Sequence, residues 1–152
     1  MKSTIETLHQ IIADYSQALT LVSEKDFSSK PIPRKWSKKE ILGHLVDSAQ
    51  TNIRRFVVAQ YEKDPVIIYK QDNWVSISNY QNYPLKNLIE LWVLLNKHIC
   101  MVLANTDSES AQRKCVTGDQ GGHSIEWLAD DYNKHLLHHL HQILNQPAIA
   151  YP

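Results

Sequence analysis

Apolar residues recur at steps of three and four positions along most of this 152-residue chain. This spacing is typical of amphipathic helices, which complete a turn every 3.6 residues. It predicts four helices, over about residues 4–22, 38–61, 85–104 and 124–146. No segment between them alternates apolar and polar residues in the way that indicates a strand. The pattern therefore predicts an all-α protein.

Capping residues mark where two of these helices begin. Ser37 can accept a hydrogen bond from a free backbone amide while Glu40 reaches back to the amide of Ser37, which makes a capping box for the second helix. Ser124 is a suitable N-cap for the fourth helix. The longest gaps are residues 62–84, which hold four aromatic side chains, and the polar residues 105–123. We expect the first gap to be an ordered crossover with short helical turns.

Four amphipathic helices with one long crossover predict a four-helix bundle, and the length of the chain predicts a single domain over residues 1–152. Bundles of this kind build metal sites from side chains that project inward from facing helices. The histidines of the predicted helices are therefore the first place to look for chemistry.

Charge and composition narrow the range of partners. The chain has 16 Lys and Arg against 16 Asp and Glu, so its formal net charge is zero. Arg54 and Arg55 form one basic dipeptide and not a basic face, so we expect no nucleic-acid partner. We expect no stretch long and apolar enough to span a bilayer, and therefore no membrane partner either.

The cysteines and the start of the chain bear on the compartment. Cys100 and Cys115 form no C-x-x-C motif and are too few for a disulfide framework, which fits a reducing compartment. The first residues form one stripe of an amphipathic helix and not the apolar block of a signal peptide. We therefore expect a cytoplasmic protein.

The last predicted helix holds the segment "HLLHHLHQI", with four of the eight histidines of the chain. On a helical wheel, His135 and His139 border the apolar face, four residues apart. Residues at this spacing have Cβ atoms about 6 Å apart, so two imidazoles can share one cation, although such a pair alone is not specific for metal. His141 falls on the solvent side of the wheel, and His138 lies between the two faces.

A third histidine borders the apolar face of the second predicted helix, in "EILGHLVDSAQTNIRRF". This is His44, and Ser48, Thr51 and Arg55 follow it along the same side of the helix. The polar stripe is either an ordinary solvated edge or the lining of a pocket. Three neutral imidazoles would bind a divalent cation such as Zn²⁺ or Ni²⁺ without neutralising it and would leave coordination positions open, which favours catalysis.

The segments that contain these histidines also resemble those of a known protein family. The segments "KWSKKEILGHLVDSAQTNIRRF" and "DYNKHLLHHLHQI" resemble the DinB-like superfamily of small metal-binding four-helix bundles, which includes bacillithiol S-transferases of the YfiT type and relatives fused to mycothiol-dependent maleylpyruvate isomerase domains. The resemblance implies that His44, His135 and His139 hold a divalent metal ion, often nickel or zinc. It implies that His138 does not bind the metal, and it favours a homodimer. From its position on the wheel, His138 could be exposed or could support the ligands.

The leading functional hypothesis is a metal-dependent thiol S-transferase that acts on a small electrophilic substrate. A low-molecular-weight thiol cosubstrate would bind the metal as thiolate and attack the electrophile. Ser48, Arg55 and Tyr132 are the candidates for binding substrate, because of their positions on the two wheels. The catalytic residues beyond the metal ligands stay unassigned.

Two alternatives remain open. The first is a metal-dependent hydrolase that uses a metal-bound hydroxide, and it needs a general acid or base near the metal. Asp47, one turn from His44, could serve, but its wheel position predicts a solvated carboxylate, and His138 is a weaker option. The second is a non-catalytic helical dimer that binds a metal or a small ligand, with Leu and Trp of the third helix and the crossover aromatics as a contact surface.

Overall fold

The computed structural model describes residues 1–118 and 121–151. Within them lie four long helices, which confirm the predicted all-α bundle, and two short ones. In chain order the helices are α1 (Lys2–Thr20), α2 (Glu24–Ser28), α3 (Lys38–Val58), α4 (Gln71–Ser78), α5 (Leu85–Ala104) and α6 (Ile125–Ile143). Two 3₁₀ turns, Tyr80–Asn82 and Ser110–Gln112, lie in the two long gaps. The expected ordered crossover with short helical turns is thus α4 and the first 3₁₀ turn.

Both predicted caps are present. The hydroxyl oxygen of Ser37 accepts from the amide of Glu40 at 3.1 Å, and the carboxylate of Glu40 accepts from the amide of Ser37 at 2.7 Å. At the start of α6, the hydroxyl oxygen of Ser124 accepts from the amide of Trp127 at 3.1 Å. These bonds satisfy amides that have no partner within the helix and fix where α3 and α6 begin.

The long helices form the bundle by packing α5 and α6 each against both α1 and α3. The shared apolar stripes are buried between them, as the period of the sequence predicts. The fully buried side chains include Leu8 and Leu19 of α1, Leu42 and Phe56 of α3, Leu88 and Trp92 of α5, and Leu136 and Leu140 of α6. Because α3 packs directly on α6, the histidine-bearing edges of these two helices meet.

The structure of helix α5 contradicts two expectations from the sequence. By length and composition it is apolar enough to cross a membrane, so the expectation that no stretch meets this criterion is wrong, although a core helix of a bundle meets it as well. Trp92 is 0 % exposed and packs in the core, so it cannot belong to a contact surface for a partner. Leu94 and Met101 are the large apolar side chains that α5 exposes.

A small sheet between α5 and α6 was not predicted. Strand β1 (Lys114–Val116) pairs antiparallel with β2 (Gly122–Ser124), and Val66 of the crossover makes a parallel bridge to Val116. Three-residue strands are too short to show an alternating pattern, which explains why the sequence did not reveal them. The bridge joins the crossover to the hairpin.

Candidate metal centre

Three histidines from two helices converge at the seam between α3 and α6. His44 projects from α3, and His135 and His139 project from α6 one turn apart. One ring nitrogen from each lies within 4.8 Å of the other two, and the Nε2 atoms of His44 and His135 are 3.0 Å apart. The structure thus brings together the three residues that the sequence predicted as ligands, while metal binding itself stays a prediction.

Burial keeps these imidazoles uncharged. Together with a smaller contribution from the neighbouring His139, it lowers the pKa of His44 to about 4. Burial also holds the pKa of His135 well below its ordinary value, with contributions from His44 and His139. The pKa of His139 is lowered by burial as well, although its hydrogen bond to Gln142 acts in the opposite direction. Neutral imidazole is the form that binds a metal ion.

The donor set fits a divalent cation. The Nδ1–H of His139 donates to the side-chain oxygen of Gln142 at 2.9 Å, which leaves the lone pair of its Nε2 free. The Nε2 atoms of His44 and His135 face each other, and two lone pairs in this position repel unless a proton or a cation lies between them. Three imidazole nitrogens suit Zn²⁺ or Ni²⁺ and leave further positions open.

His138 lies behind the cluster, and its role beside the metal ligands stays a prediction. Gln142 donates from its amide nitrogen to Nε2 of His138 at 2.9 Å while accepting from His139. His138 in turn donates from Nδ1 to the carbonyl of Ile149 at 2.6 Å. A chain of hydrogen bonds therefore links residue 149 to His139 and orients its ring, which is how non-ligating side chains support metal ligands.

Two neighbouring polar residues differ from their predicted placement. Asp47 is 1 % exposed and not solvated, because it accepts a hydrogen bond from the hydroxyl of Tyr80 in the crossover, and burial raises its pKa to about 6. It does not line the pocket beside the histidines. His141 is half-buried, and its ring nitrogens contact the Tyr15 hydroxyl at 3.0 Å and the carbonyl of Pro147 at 2.7 Å. Helical periodicity did not predict that the crossover would contact Asp47, or that α1 and the chain after α6 would contact His141.

A pocket of about 280 Å³ opens beside His44 and His135. Ser48 and Thr51 of the polar stripe on α3 are buried, and Arg55 is half-buried. Two of these residues, Ser48 and Arg55, line this pocket. The hydroxyl of Ser48 lies 3.5 Å from Nδ1 of His135. Thr51, also buried, lines a different groove. Of the two alternatives for the polar stripe, a solvated edge or the lining of a pocket, Ser48 and Arg55 therefore follow the second.

Arg55 and Tyr132, the two other candidates for binding substrate, make hydrogen bonds within the protein. Arg55 donates from Nε and Nη2 to the carbonyl of Ile67, at 3.2 and 3.0 Å. Tyr132 lines the pocket with its ring, but its hydroxyl donates to the side-chain oxygen of Asn96 at 2.8 Å. Arg55 therefore offers polar groups to a ligand, whereas Tyr132 offers mainly the ring surface.

The cysteines lie outside this pocket. Cys100 and Cys115 are buried as free thiols, and burial raises the pKa of the Cys100 thiol to about 11. The thiol of Cys115 donates to the carbonyl of Pro65 at 3.3 Å, and burial raises its pKa as well. Neither is placed to act as a nucleophile at the histidine cluster.

The sequence did not reveal several other pocket residues. Asp131 lies four residues before His135, so the same wheel could have placed it on the histidine side of α6. Asn52, Tyr69 and Tyr151 also line the pocket, and the last two come from the crossover and the chain after α6. No local sequence pattern indicates that residues from outside α3 and α6 will line the pocket.

Comparisons with known proteins agree with this fold. A protein of Oceanobacillus iheyensis named "Putative metal-dependent hydrolase" is 28% identical over 109 residues, which cover 71% of this chain and 63% of that protein. The chain thus matches less than two thirds of the length of this relative.

Two solved structures share the fold. YfiT from Bacillus subtilis, described as "a probable metal-dependent hydrolase with an unusual four-helix bundle topology", superposes with a TM-score of 0.85 at 19% identity, over 95% of this chain and 83% of that one. A mycothiol-dependent maleylpyruvate isomerase superposes with a TM-score of 0.79 at 14% identity, over 97% of this chain and 61% of that one.

The family assignment rests on most of the chain. A family model described as the DinB superfamily matches residues 7–143, which include all four long helices apart from the first five residues of α1. The match also includes His44, His135 and His139. The chain belongs to the DinB superfamily.

Proposed function

We propose that this protein is a metal-dependent enzyme that transfers a small electrophilic group to a low-molecular-weight thiol. The observation that carries the proposal is the convergence of three neutral imidazoles from α3 and α6 beside a polar pocket. The metal-dependent relatives of the superfamily support the first half of the proposal. The fold shared with a mycothiol-dependent isomerase supports the thiol.

His44, His135 and His139 would hold the cation. A divalent cation bound there would act as a Lewis acid that lowers the pKa of a thiol at one of its open positions. Gln142 orients the ring of His139, and Ser48 lies beside His135. In the reaction the thiol would release its proton to solvent, its sulfur would bond to the electrophilic carbon, and the bond from that carbon to the leaving group would break, with the electron pair departing on the leaving group.

The nucleophile must come from the cosubstrate. Cys100 and Cys115 are buried away from the pocket with raised thiol pKa values, so the protein does not offer a thiolate there. Arg55 and Ser48 present donors on the pocket wall that can orient the cosubstrate or the electrophile. Transfer to an external thiol is consistent with this arrangement.

Hydrolysis is the second candidate. It is favoured by the hydrolase descriptions of the Oceanobacillus and Bacillus relatives. Asp47, the base considered from the sequence, is outside the pocket and bonded to Tyr80. Asp131 is the carboxylate that lines the pocket and could take a proton from water.

Metal analysis tests the first half of the proposal. Protein purified without a histidine tag should carry or take up about one Zn²⁺ or Ni²⁺ per chain, and His44→Ala and His139→Ala should lose it while keeping their helical content. His98→Ala is the matched control, because His98 is exposed on α5 and should retain the metal. Stoichiometric metal in the His139→Ala variant would remove the three-histidine site.

Turnover separates the two reactions. Metal-loaded protein should consume a small electrophile only when a thiol is added if it is a transferase, and without any thiol if it is a hydrolase. The His139→Ala variant should be inactive in both assays. Metal binding without turnover of any electrophile would favour a non-catalytic metal-binding protein.

A further inference from the structure

Two opposite charges face the same pocket from different helices. Arg55 lies on α3 and Asp131 on α6, and both line the pocket beside His44 and His135. Burial lowers the pKa of Arg55, while the nearby charge of Asp131 raises it, so the two groups affect each other electrostatically. In residues 1–118 and 121–151 they form no ion pair within 4.0 Å with each other or with other side chains. Both charged groups are therefore available to a ligand in the pocket.

The guanidinium of Arg55 is fixed and has donors to spare. Its Nε and Nη2 donate to the carbonyl of Ile67, and its Nη1 donates to the side-chain oxygen of Asn52 at 3.4 Å. A guanidinium carries five N–H groups, so two remain for a ligand on the side of the pocket. A pre-oriented guanidinium of this kind is suited to a carboxylate.

The carboxylate of Asp131 is oriented as well. The hydroxyl of Tyr151 donates to its Oδ2 at 2.8 Å, and the ring of Tyr151 lies against the ring of His135 with centroids 5.3 Å apart. No side chain or backbone group in the described part of the chain donates to Oδ1 of Asp131. This oxygen can accept a hydrogen bond from a cationic group of a ligand.

We propose that the pocket binds a zwitterionic thiol, with its carboxylate at Arg55 and its ammonium group at Asp131. This inference rests on the proposed function, because it assigns the charges of the thiol cosubstrate. The pocket volume of about 280 Å³ is below the usual range for drug-sized ligands and suits a group of amino-acid size. The sulfur of such a ligand would lie on the side of the histidine cluster.

Four small thiols test each charge separately. Cysteine carries both charges, cysteamine only the ammonium, 3-mercaptopropionate only the carboxylate, and 2-mercaptoethanol neither. The protein is loaded with Co²⁺, and each thiol is titrated at pH 7.5 under anaerobic conditions, with the thiolate-to-cobalt absorption as the readout. Cysteine should bind most tightly and 2-mercaptoethanol most weakly, with a difference of about tenfold or more.

Substitutions assign the charges to residues. Arg55→Gln should weaken cysteine and 3-mercaptopropionate about tenfold and leave cysteamine and 2-mercaptoethanol unchanged, and Arg55→Lys should restore part of the loss. Asp131→Asn should weaken cysteine and cysteamine and spare the other two thiols. Arg54→Gln and Asp72→Asn are the controls, because both side chains are exposed and lie outside the pocket.

The outcomes separate this inference from the proposed function. If all four thiols give the cobalt band with equal affinity, or if the Arg55 and Asp131 variants weaken every thiol alike, the zwitterion site is wrong although thiol binding stands. If Co²⁺ binds and no thiol gives the band, the thiol-transfer proposal itself is wrong. Circular dichroism and metal content of each variant show whether a loss of affinity comes from unfolding.

Discussion

The surroundings of Asp47 show why helical periodicity alone does not predict whether a single polar residue is buried. The wheel of α3 placed this carboxylate near the solvent side, but the crossover folds over that side of the helix. The ring of Tyr80 lies so close to Gly43 that a Cβ on Gly43 would come 2.1 Å from the ring. The Tyr80 hydroxyl then bonds to Asp47, and Oδ2 of Asp47 is buried without a partner in the described part of the chain.

Replacing Asp47 should change the pH dependence of stability. Its pKa is raised from 3.8 to about 6 on folding. Between these values the folded state binds more protons than the unfolded state, so the carboxyl contributes stability below pH 3.8 that is lost as pH rises through 6. Asp47→Asn has no carboxyl to titrate at this position, so its free energy of unfolding should not fall in this way. As pH rises from 4 to 7, the free energy of unfolding of the variant should therefore increase relative to that of the wild type, by up to about 3 kcal/mol.

Urea denaturation of metal-free protein at a series of pH values measures this difference. Asp72→Asn is the control, because Asp72 is exposed and should leave the pH profile of the wild type unchanged. Parallel profiles for the wild type and Asp47→Asn would show that the carboxyl has the same pKa in the folded and unfolded states.

At the scale of the element, helix starts followed from sequence more closely than helix ends. The Ser37 and Ser124 caps begin α3 and α6 at the predicted positions, because a cap is a local contact between residues three apart. The second predicted helix continued to residue 61, whereas α3 ends at Val58. Gln60 and Tyr61 continue with bonds to the third preceding carbonyl, so the apolar pattern runs past the end of the regular helix.

Removal of the α3 cap should destabilise the whole protein. Ser37 is buried, accepts from the amide of Glu40 and donates to the side chain of Gln81 in the crossover at 2.8 Å. Ser37→Ala should lower the free energy of unfolding by about 1 to 2 kcal/mol, measured by chemical denaturation. Ser3→Ala, an exposed position on α1, should change it by less than about 0.5 kcal/mol. Equal effects of the two substitutions would contradict the capping role.

At the scale of the whole molecule, the position of α6 decides the site. Contacts with α1 hold it from one side: Thr4 donates to Asp130 at 2.6 Å, and Asn133 donates to the carbonyl of Thr4 at 2.9 Å. Packing on α3 from the other side brings His135 and His139 to His44. The homodimer stays a prediction, and its surface must be sought outside Trp92, for example at the exposed crossover residues Ile68, Trp74 and Ile77.

Metal removal should therefore lower the stability of the bundle as a whole, because the cation would join α3 to α6. A ligand at 100 times its Kd stabilises the folded state by about 2.7 kcal/mol, which corresponds to roughly 5 to 10 °C in Tm for a domain of this size. Thermal unfolding with a chelator and with added Zn²⁺ or Ni²⁺ measures the shift. His98→Ala should show the full shift and His139→Ala none. A shift retained in His139→Ala would place the stabilising metal elsewhere.

The amino-acid sequence by itself determined the four long helices, two of their caps and the three histidines of the candidate metal centre. These features depend on helical period and on spacings of three and four residues, which are local properties of the chain. The match to the DinB superfamily confirms the resemblance that the same motifs carried.

Only the tertiary structure decided which polar residues are buried and which share the pocket. Asp47 is covered by Tyr80, and the crossover is joined to the hairpin through Val66 and Val116. Tyr151 orients Asp131, which lines the same pocket as Arg55. Each of these contacts joins segments that are distant in the sequence. Helical periodicity records only which face of a helix is apolar, so the identity of the segment that covers a polar position depends on how the whole chain folds.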